Sequence, residues 1–114
     1  PVLSTDIFAT IHAAAGAPKP EGEYIESYDL LPYLTGKYKE DRHEWLYWRQ
    51  SHKTAFRVGD MKIVRHTPKK WELYNLAEDP SETKDLSEAL PEQFESLLEI
   101  WEKINGNMVE PLFK

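Results

Sequence analysis

The sequence predicts an α+β fold, in which a small antiparallel sheet of about three or four strands is packed by a C-terminal amphipathic helix. Segments rich in β-branched and aromatic residues lie between positions 45 and 76. An apolar stripe at helical spacing follows between positions 94 and 104. With 114 residues, the chain has the length of one ordinary domain with a modest core.

A short helix is predicted near the start of the chain. Any of the polar residues at positions 4–6 can cap it, and Ile7 and Ile11 recur at helical spacing. Gly16 permits a left-handed turn and Pro18 blocks continuation, so the helix ends there. Its apolar side is small and rich in alanine, which favours close packing against a sheet.

A loop and a second short helix are predicted next. Residues 18–28 are rich in Pro, Gly and Glu, as in an extended surface loop. In the helix that follows, Asp29 is the cap, Pro32 falls in the first turn and Gly36 ends it. The charged run at 37–42 has no apolar period, so we interpret it as a solvated linker.

The middle of the chain predicts the strands of the sheet. The dipeptide Gly59-Asp60 is typical of a tight hairpin turn, and residues 79–82 (DPSE) have the composition of a turn. The predicted strands cover residues 45–48, 55–58, 61–65 and 71–76.

The last element is a helix that begins at Pro91 and ends at Asn105 and Gly106. Polar residues cover the side opposite its apolar stripe, so we expect the helix to lie across one face of the sheet. The stripe consists of Phe94, Leu97, Leu98, Trp101 and Ile104.

Composition excludes several functional classes. There are 14 basic and 20 acidic residues, and the net charge of −6 argues against a nucleic-acid-binding surface. The absence of cysteine excludes disulfides, thiolate catalysis and zinc sites with Cys ligands. The longest uncharged stretch, residues 7–18, is too short to span a bilayer.

No complete catalytic or metal motif occurs in the chain. The four histidines have no ligand spacing, so no metal-binding residue is assigned. Arg49, His52 and Lys53 belong to a predicted polar loop that follows an aromatic strand, and its cations can bind an anionic substrate group. These three are the candidate substrate-binding residues; the alternative is a solvated surface connection.

The order of these segments resembles the C-terminal region of the sulfatases. Residues 4–11 (STDIFATI) stand where the family has Asp, an apolar residue and Pro-Thr, with Ala9 in place of Pro. Residues 25–36 (IESYDLLPYLTG) are similar to a family segment that begins with Asp-Gly, with Glu26-Ser27 in place of Asp-Gly.

The third block carries the most specific resemblance. Sulfatases typically show Arg-x-Gly-Asp-Trp-Lys, then Glu-Leu-Tyr-Asp-Leu, then Asp-Pro-x-Glu and Asp-Leu before a final helix. Met61 stands in place of Trp and Asn75 in place of Asp. The corresponding segments here are 55–64 (AFRVGDMKIV), 71–76 (WELYNL) and 79–86 (DPSETKDL).

The resemblance implies two parts of a larger enzyme of the alkaline-phosphatase superfamily. Residues 1–42 would be the helical tail of its large α/β catalytic domain, and residues 43–114 a C-terminal α+β subdomain. The partner of the chain would be the N-terminal catalytic domain of the same protein, and the subdomain would help to wall the substrate cleft. The resemblance leaves the compartment open, and a periplasmic or secreted location is compatible with it.

The resemblance also implies the chemistry. Sulfatases hydrolyse sulfate esters with a formylglycine made from Cys or Ser in a Cys/Ser-x-Pro-x-Arg motif, and with a divalent ion, usually calcium. No residue of this chain matches those motifs. We therefore assign no catalytic residue here, and expect the isolated chain to bind neither group and to be inactive.

Two alternatives remain open at this stage. Phosphonate monoester hydrolases and phosphodiesterases of the same superfamily carry similar C-terminal segments. The chain could also be a free-standing, non-catalytic module that binds an anion or a protein.

Overall fold

The computed structural model describes residues 1–18, 27–39 and 43–109. The chain divides into two compact units, Pro1–His43 and Glu44–Lys114. The elements are α1 (Asp6–Ala14), α2 (Leu31–Leu34), β1 (Leu46–Gln50), β2 (Lys53–Val58), β3 (Met61–Thr67), β4 (Lys70–Asn75) and α3 (Pro91–Gly106). The predicted α+β class is therefore confirmed.

The first helix forms where it was predicted, but its predicted side-chain cap is wrong. Thr5 is the residue at the N-cap and makes no side-chain cap hydrogen bond. Its backbone is helical rather than extended, whereas capping side chains act from an extended residue. Gly16 follows the helix with a φ of 62°, as expected. The side chains of Ile7, Phe8 and Ile11 are 57%, 47% and 63% exposed.

The second helix forms where it was predicted, but its N-cap residue is Leu30 rather than Asp29, and it has no side-chain cap hydrogen bond. Asp29 accepts a hydrogen bond from the Leu31 N–H at 2.9 Å. Gly36 follows with a φ of 73° and ends the helix. The predicted extended loop and charged linker lie largely outside the described residues, since 19–26 and 40–42 are not among them.

The sheet has four antiparallel strands in the order β1-β2-β3-β4. Gly59, with a φ of 57°, makes the predicted hairpin turn between β2 and β3. The predicted polar loop from Arg49 to Lys53 is wrong, because Gln50 pairs with Lys53 and only two residues lie outside the ladder. Ser51 has a φ of 56°, and this left-handed residue lets the chain reverse within two residues.

The core lies between one face of the sheet and α3. Phe56, Ile63 and Leu73 are fully buried on neighbouring strands. Leu97 and Trp101 pack on them from α3, as the apolar stripe predicted. Among the described residues, no helix is long and apolar enough to cross a membrane.

Candidate functional site

The β1–β2 hairpin places the three candidate substrate-binding residues at different positions. Arg49 is opposite Thr54, whereas Gln50 is opposite Lys53. Because side chains alternate along a strand, Arg49 lies on the face packed by α3 and Lys53 lies on the other face. His52 lies in the turn between the strands. His52 and Lys53 are neighbours in sequence, whereas the hairpin places Arg49 and Lys53 on opposite faces of the sheet.

Arg49 contacts the end of α3. Its Nη1 donates a hydrogen bond to Asn105 Oδ1 at 3.1 Å, and its Nη2 donates to the Val109 carbonyl. The Tyr47 hydroxyl donates to the same Asn105 oxygen at 2.7 Å. These contacts give Arg49 a structural role, which the sequence did not suggest.

His52 and Lys53 are both exposed. The ring of His52 has a long contact of 3.4 Å between its Nδ1 and the Ser51 hydroxyl. In the described part of the chain, no carboxylate lies within ion-pair distance of Lys53. The two side chains are therefore available to an anionic group.

Charge is divided between the two ends of the sheet. The β1–β2 turn and the β3–β4 turn lie at the same end, because the four strands form an antiparallel meander. We call this the basic end; it carries His52, Lys53, His66, Lys69 and Lys70. The opposite end, where the Leu76 N–H donates to the Asp60 carbonyl, is acidic. That end carries Asp60, Glu78, Asp79 and Glu82. Arg57 and Lys62 pair with Asp60 and Glu82, and the Lys84 N–H donates to Asp79.

Within the basic end, Lys70 is already paired. Its Nζ lies 2.9 Å from Glu72 Oε1 and 3.4 Å from Asp85 Oδ2. The hydrogen bond with Glu72, followed by that with Asp85, raises the pKa of Lys70 above its ordinary value. The cations of the basic end that remain without a described carboxylate partner are thus Lys53 and Lys69.

A buried polar cluster around Asp6 was missed from the sequence. The Asp6 carboxylate is fully buried and accepts hydrogen bonds from the Leu3 N–H at 2.8 Å and the Tyr28 N–H at 2.9 Å. The His43 Nε2 lies 2.8 Å from it. Burial by itself would raise the pKa of Asp6, but the hydrogen bonds from Leu3, His43 and Tyr28 outweigh it and hold the pKa below its ordinary value.

This cluster joins segments that are distant in sequence. Asp6 and His43 are 37 positions apart, so no local pattern links them. Asp6 is also the aspartate of the family segment at residues 4–11. This match was the one feature of the sequence that could have drawn attention to Asp6. The carboxylate is enclosed by backbone amides and the His43 ring, so its role is to hold these segments together.

The described residues do not provide a site for the groups that sulfatases use. No group of three or more His, Cys, Asp or Glu side chains in the described ranges could hold a metal ion. The sequence has neither cysteine nor a Ser-x-Pro-x-Arg motif from which formylglycine could form. We therefore derive no catalytic step through calcium or formylglycine in this chain.

Comparison with known proteins finds similarity to sulfatases. No protein-family model matches the chain. Steryl-sulfatase of Homo sapiens is 45% identical over 47 residues, which are 41% of this chain and 8% of that protein. A sulfatase structure, BT33336S-sulf, described with the metabolism of multiple glycosaminoglycans by Bacteroides thetaiotaomicron, matches with a TM-score of 0.71 and 26% identity. That match covers 90% of this chain and 24% of the sulfatase chain.

A second solved structure supports the same fold. Ps i-CgsB matches with a TM-score of 0.73 and 23% identity over 90% of this chain and 24% of its own. In fold and in part of its sequence, the chain is similar to the C-terminal region of sulfatases. It spans about a quarter of the solved chains that it matches and 8% of steryl-sulfatase.

Proposed function

We propose that the chain is the C-terminal part of an enzyme that hydrolyses sulfate esters. The observation that carries this proposal is the match to a sulfatase over 90% of this chain, joined to the 45% identity with steryl-sulfatase over 47 residues. In this proposal, the nucleophile and the metal ligands lie in a catalytic domain outside the 114 residues. The reported relatives favour a sulfate ester over a phosphonate or phosphate ester.

The proposed role of this chain is to pack on that catalytic domain. The exposed apolar side chains of α1, Ile7, Phe8 and Ile11, support this role. Exposed apolar side chains clustered on one short helix are typical of a contact surface. A catalytic domain that covers them would remove the apolar surface from water, which is the main favourable contribution to such docking.

The second proposed role is to contribute His52 and Lys53 to a wall of the substrate cleft. Their exposure and their lack of a described carboxylate partner support contact with a sulfate group. Arg49 would act through its contacts with Asn105 and Val109, by holding the end of α3 on the β1–β2 hairpin.

The test is to express the complete gene product that contains these residues and to measure hydrolysis of 4-nitrophenyl sulfate. We expect turnover of the sulfate ester, at least tenfold faster than turnover of the matching phosphate diester. The isolated 114-residue chain is expected to show none. If the complete product hydrolyses the phosphate diester faster, or neither compound, the proposal fails.

The wall contribution is tested with the double variant His52→Gln/Lys53→Gln of the complete product. We expect KM for a sulfated saccharide to rise about threefold while kcat stays within twofold, since each exposed ionic contact has a small free energy. Lys84→Gln at the acidic end is the matched control and should leave KM unchanged. An unchanged KM in the double variant would contradict the wall contribution.

A further inference from the structure

The two hairpin turns at the basic end make one continuous surface. Strands in a sheet lie about 4.8 Å apart, so the centres of the β1–β2 and β3–β4 turns are separated by roughly 10 Å. Lys53 is the first residue of β2, and Lys69 lies in the turn before β4. Both side chains are exposed. One ligand can therefore meet both cations at once.

A tryptophan lies on the same side of the sheet as Lys53. Trp48 pairs with Ala55, and Gln50 pairs with Lys53. Because side chains alternate along each strand, the side chains of Trp48 and Lys53 both lie on the face opposite α3. Trp48 is 44% exposed, although tryptophan is on average a largely buried residue. An aromatic ring next to small and polar side chains is a surface on which the apolar face of a sugar ring can stack.

The charges at this end are locally unbalanced. The whole chain has a net charge of −6. At the basic end, however, the carboxylates of Glu72 and Asp85 contact Lys70, and in the described residues no carboxylate contacts Lys53 or Lys69. His52 and His66 lie beside these lysines and add no negative charge. Two cations that have no carboxylate partner among the described residues, on a negatively charged chain, favour a ligand with two separated anionic groups.

We propose that the basic end binds a sulfated oligosaccharide with at least two sulfate groups, one near Lys53 and one near Lys69, and that Trp48 stacks on a sugar ring between or beside them. This inference deepens the proposed function, on which it rests for the choice of sulfate as the anion. A long nucleic acid is disfavoured, because the acidic opposite end and the negative net charge repel an extended phosphate backbone.

The test measures direct binding to the 114-residue chain, independently of any hydrolysis. Isothermal titration calorimetry would use a heparin hexasaccharide, the same hexasaccharide after complete desulfation, glucose 6-sulfate and a single-stranded DNA hexamer. We expect the heparin hexasaccharide to bind at least tenfold more tightly than each of the other three, because two sulfate contacts on one ligand reinforce each other.

Single-residue variants locate the site. Lys53→Gln and Lys69→Gln are each expected to weaken heparin binding about threefold, and the double variant about tenfold. Lys84→Gln removes the same charge at the acidic end and should change binding by less than 1.5-fold. Amide and indole NMR spectra of each variant check that the fold is retained, and should show the Trp48 indole shifting on addition of the hexasaccharide.

Three results would overturn the inference. The first is equal weakening by Lys84→Gln and Lys53→Gln, because this would indicate a non-specific charge effect. The second is equal affinity for the hexasaccharide and glucose 6-sulfate, and the third is equal or tighter binding of the DNA hexamer. Absence of hydrolysis by the complete gene product would count against the proposed function but would leave these binding measurements intact.

Discussion

The two units of the chain are stabilised in different ways. In residues 44–114, the described side chains that are fully buried are apolar, namely Phe56, Ile63 and Leu73. In residues 1–43, the described side chain with no exposure is the carboxylate of Asp6, while Ile11 is 63% exposed. The sheet unit thus rests on apolar burial, whereas the first unit rests on a hydrogen-bond cluster.

The difference bears on stability and on function. Apolar burial is the dominant favourable contribution to folding, while a hydrogen bond adds only about 1 kcal/mol net. The first unit should therefore open locally more often than the sheet unit. Such local opening is expected of a segment whose exposed apolar side chains are covered by another domain, as in the proposed function.

Trp101→Ala should give the largest effect, and it falls on the sheet unit. The Trp101 ring packs at 4.7 Å from the Trp71 ring, and the Arg65 guanidinium lies 5.4 Å from its centroid. Removing a large buried aromatic side chain costs about 3–5 kcal/mol through lost burial and the cavity left behind. Urea unfolding followed by far-ultraviolet circular dichroism measures this loss in the free energy of unfolding.

Ile100→Ala is the control for Trp101→Ala. Ile100 is the preceding residue of α3 and is 36% exposed, so the same helix loses an apolar side chain at a less buried position. We expect a cost below about 1 kcal/mol. Equal costs for the two variants would show that the core does not depend on the apolar stripe of α3.

Asp6→Ala should give the next largest effect, confined to the first unit. The substitution removes the acceptor of the Leu3 and Tyr28 amides and the partner of the His43 ring. Loss of a buried, charged hydrogen-bond partner costs about 2–4 kcal/mol. Hydrogen exchange of the α1 amides should speed up accordingly, while exchange in β2 and β3 stays unchanged. Faster exchange in β2 and β3 as well would contradict an effect of Asp6 that is confined to the first unit.

Acid provides a second measurement of the same carboxylate. The folded-state pKa of Asp6 is held below its ordinary value. A depressed pKa contributes stability that is present above the unfolded pKa, about 3.9, and is lost as the pH falls through the folded pKa. Protection of α1 should therefore fall below about pH 4 in the unmodified chain. In Asp6→Asn, which does not titrate, this part of the acid dependence should disappear.

Local patterns were sufficient to predict most of the fold. The 3.6-residue stripe of α3 and the Gly59 turn each involve neighbouring residues, so their physical causes can be read directly from the sequence. The sequence could not predict that Arg49 and Lys53 lie on opposite faces of the sheet, because this depends on where the β1–β2 pairing ends. The Asp6–His43 contact and the basic end both join distant segments, which requires the tertiary structure.

Ser27 provides the smallest and most selective test of the polar first unit. Its hydroxyl donates to the Thr5 carbonyl at 2.7 Å and accepts the Ala9 N–H at 3.0 Å, so it bridges two backbone groups of the α1 start.

Residues 9 and 27 are also the two positions at which the family usually has Pro and Gly. A proline at 9 has no N–H for the hydroxyl to accept, and a glycine at 27 has no hydroxyl. We therefore expect the two departures to compensate each other physically. Ser27→Gly should cost about 1–2 kcal/mol of local stability in the unmodified chain, but at least about 1 kcal/mol less in an Ala9→Pro background. Hydrogen exchange of the α1 amides across the four-member cycle measures this coupling. Additive costs, within about 0.4 kcal/mol, would mean that the hydroxyl bridge does not stabilise the first unit.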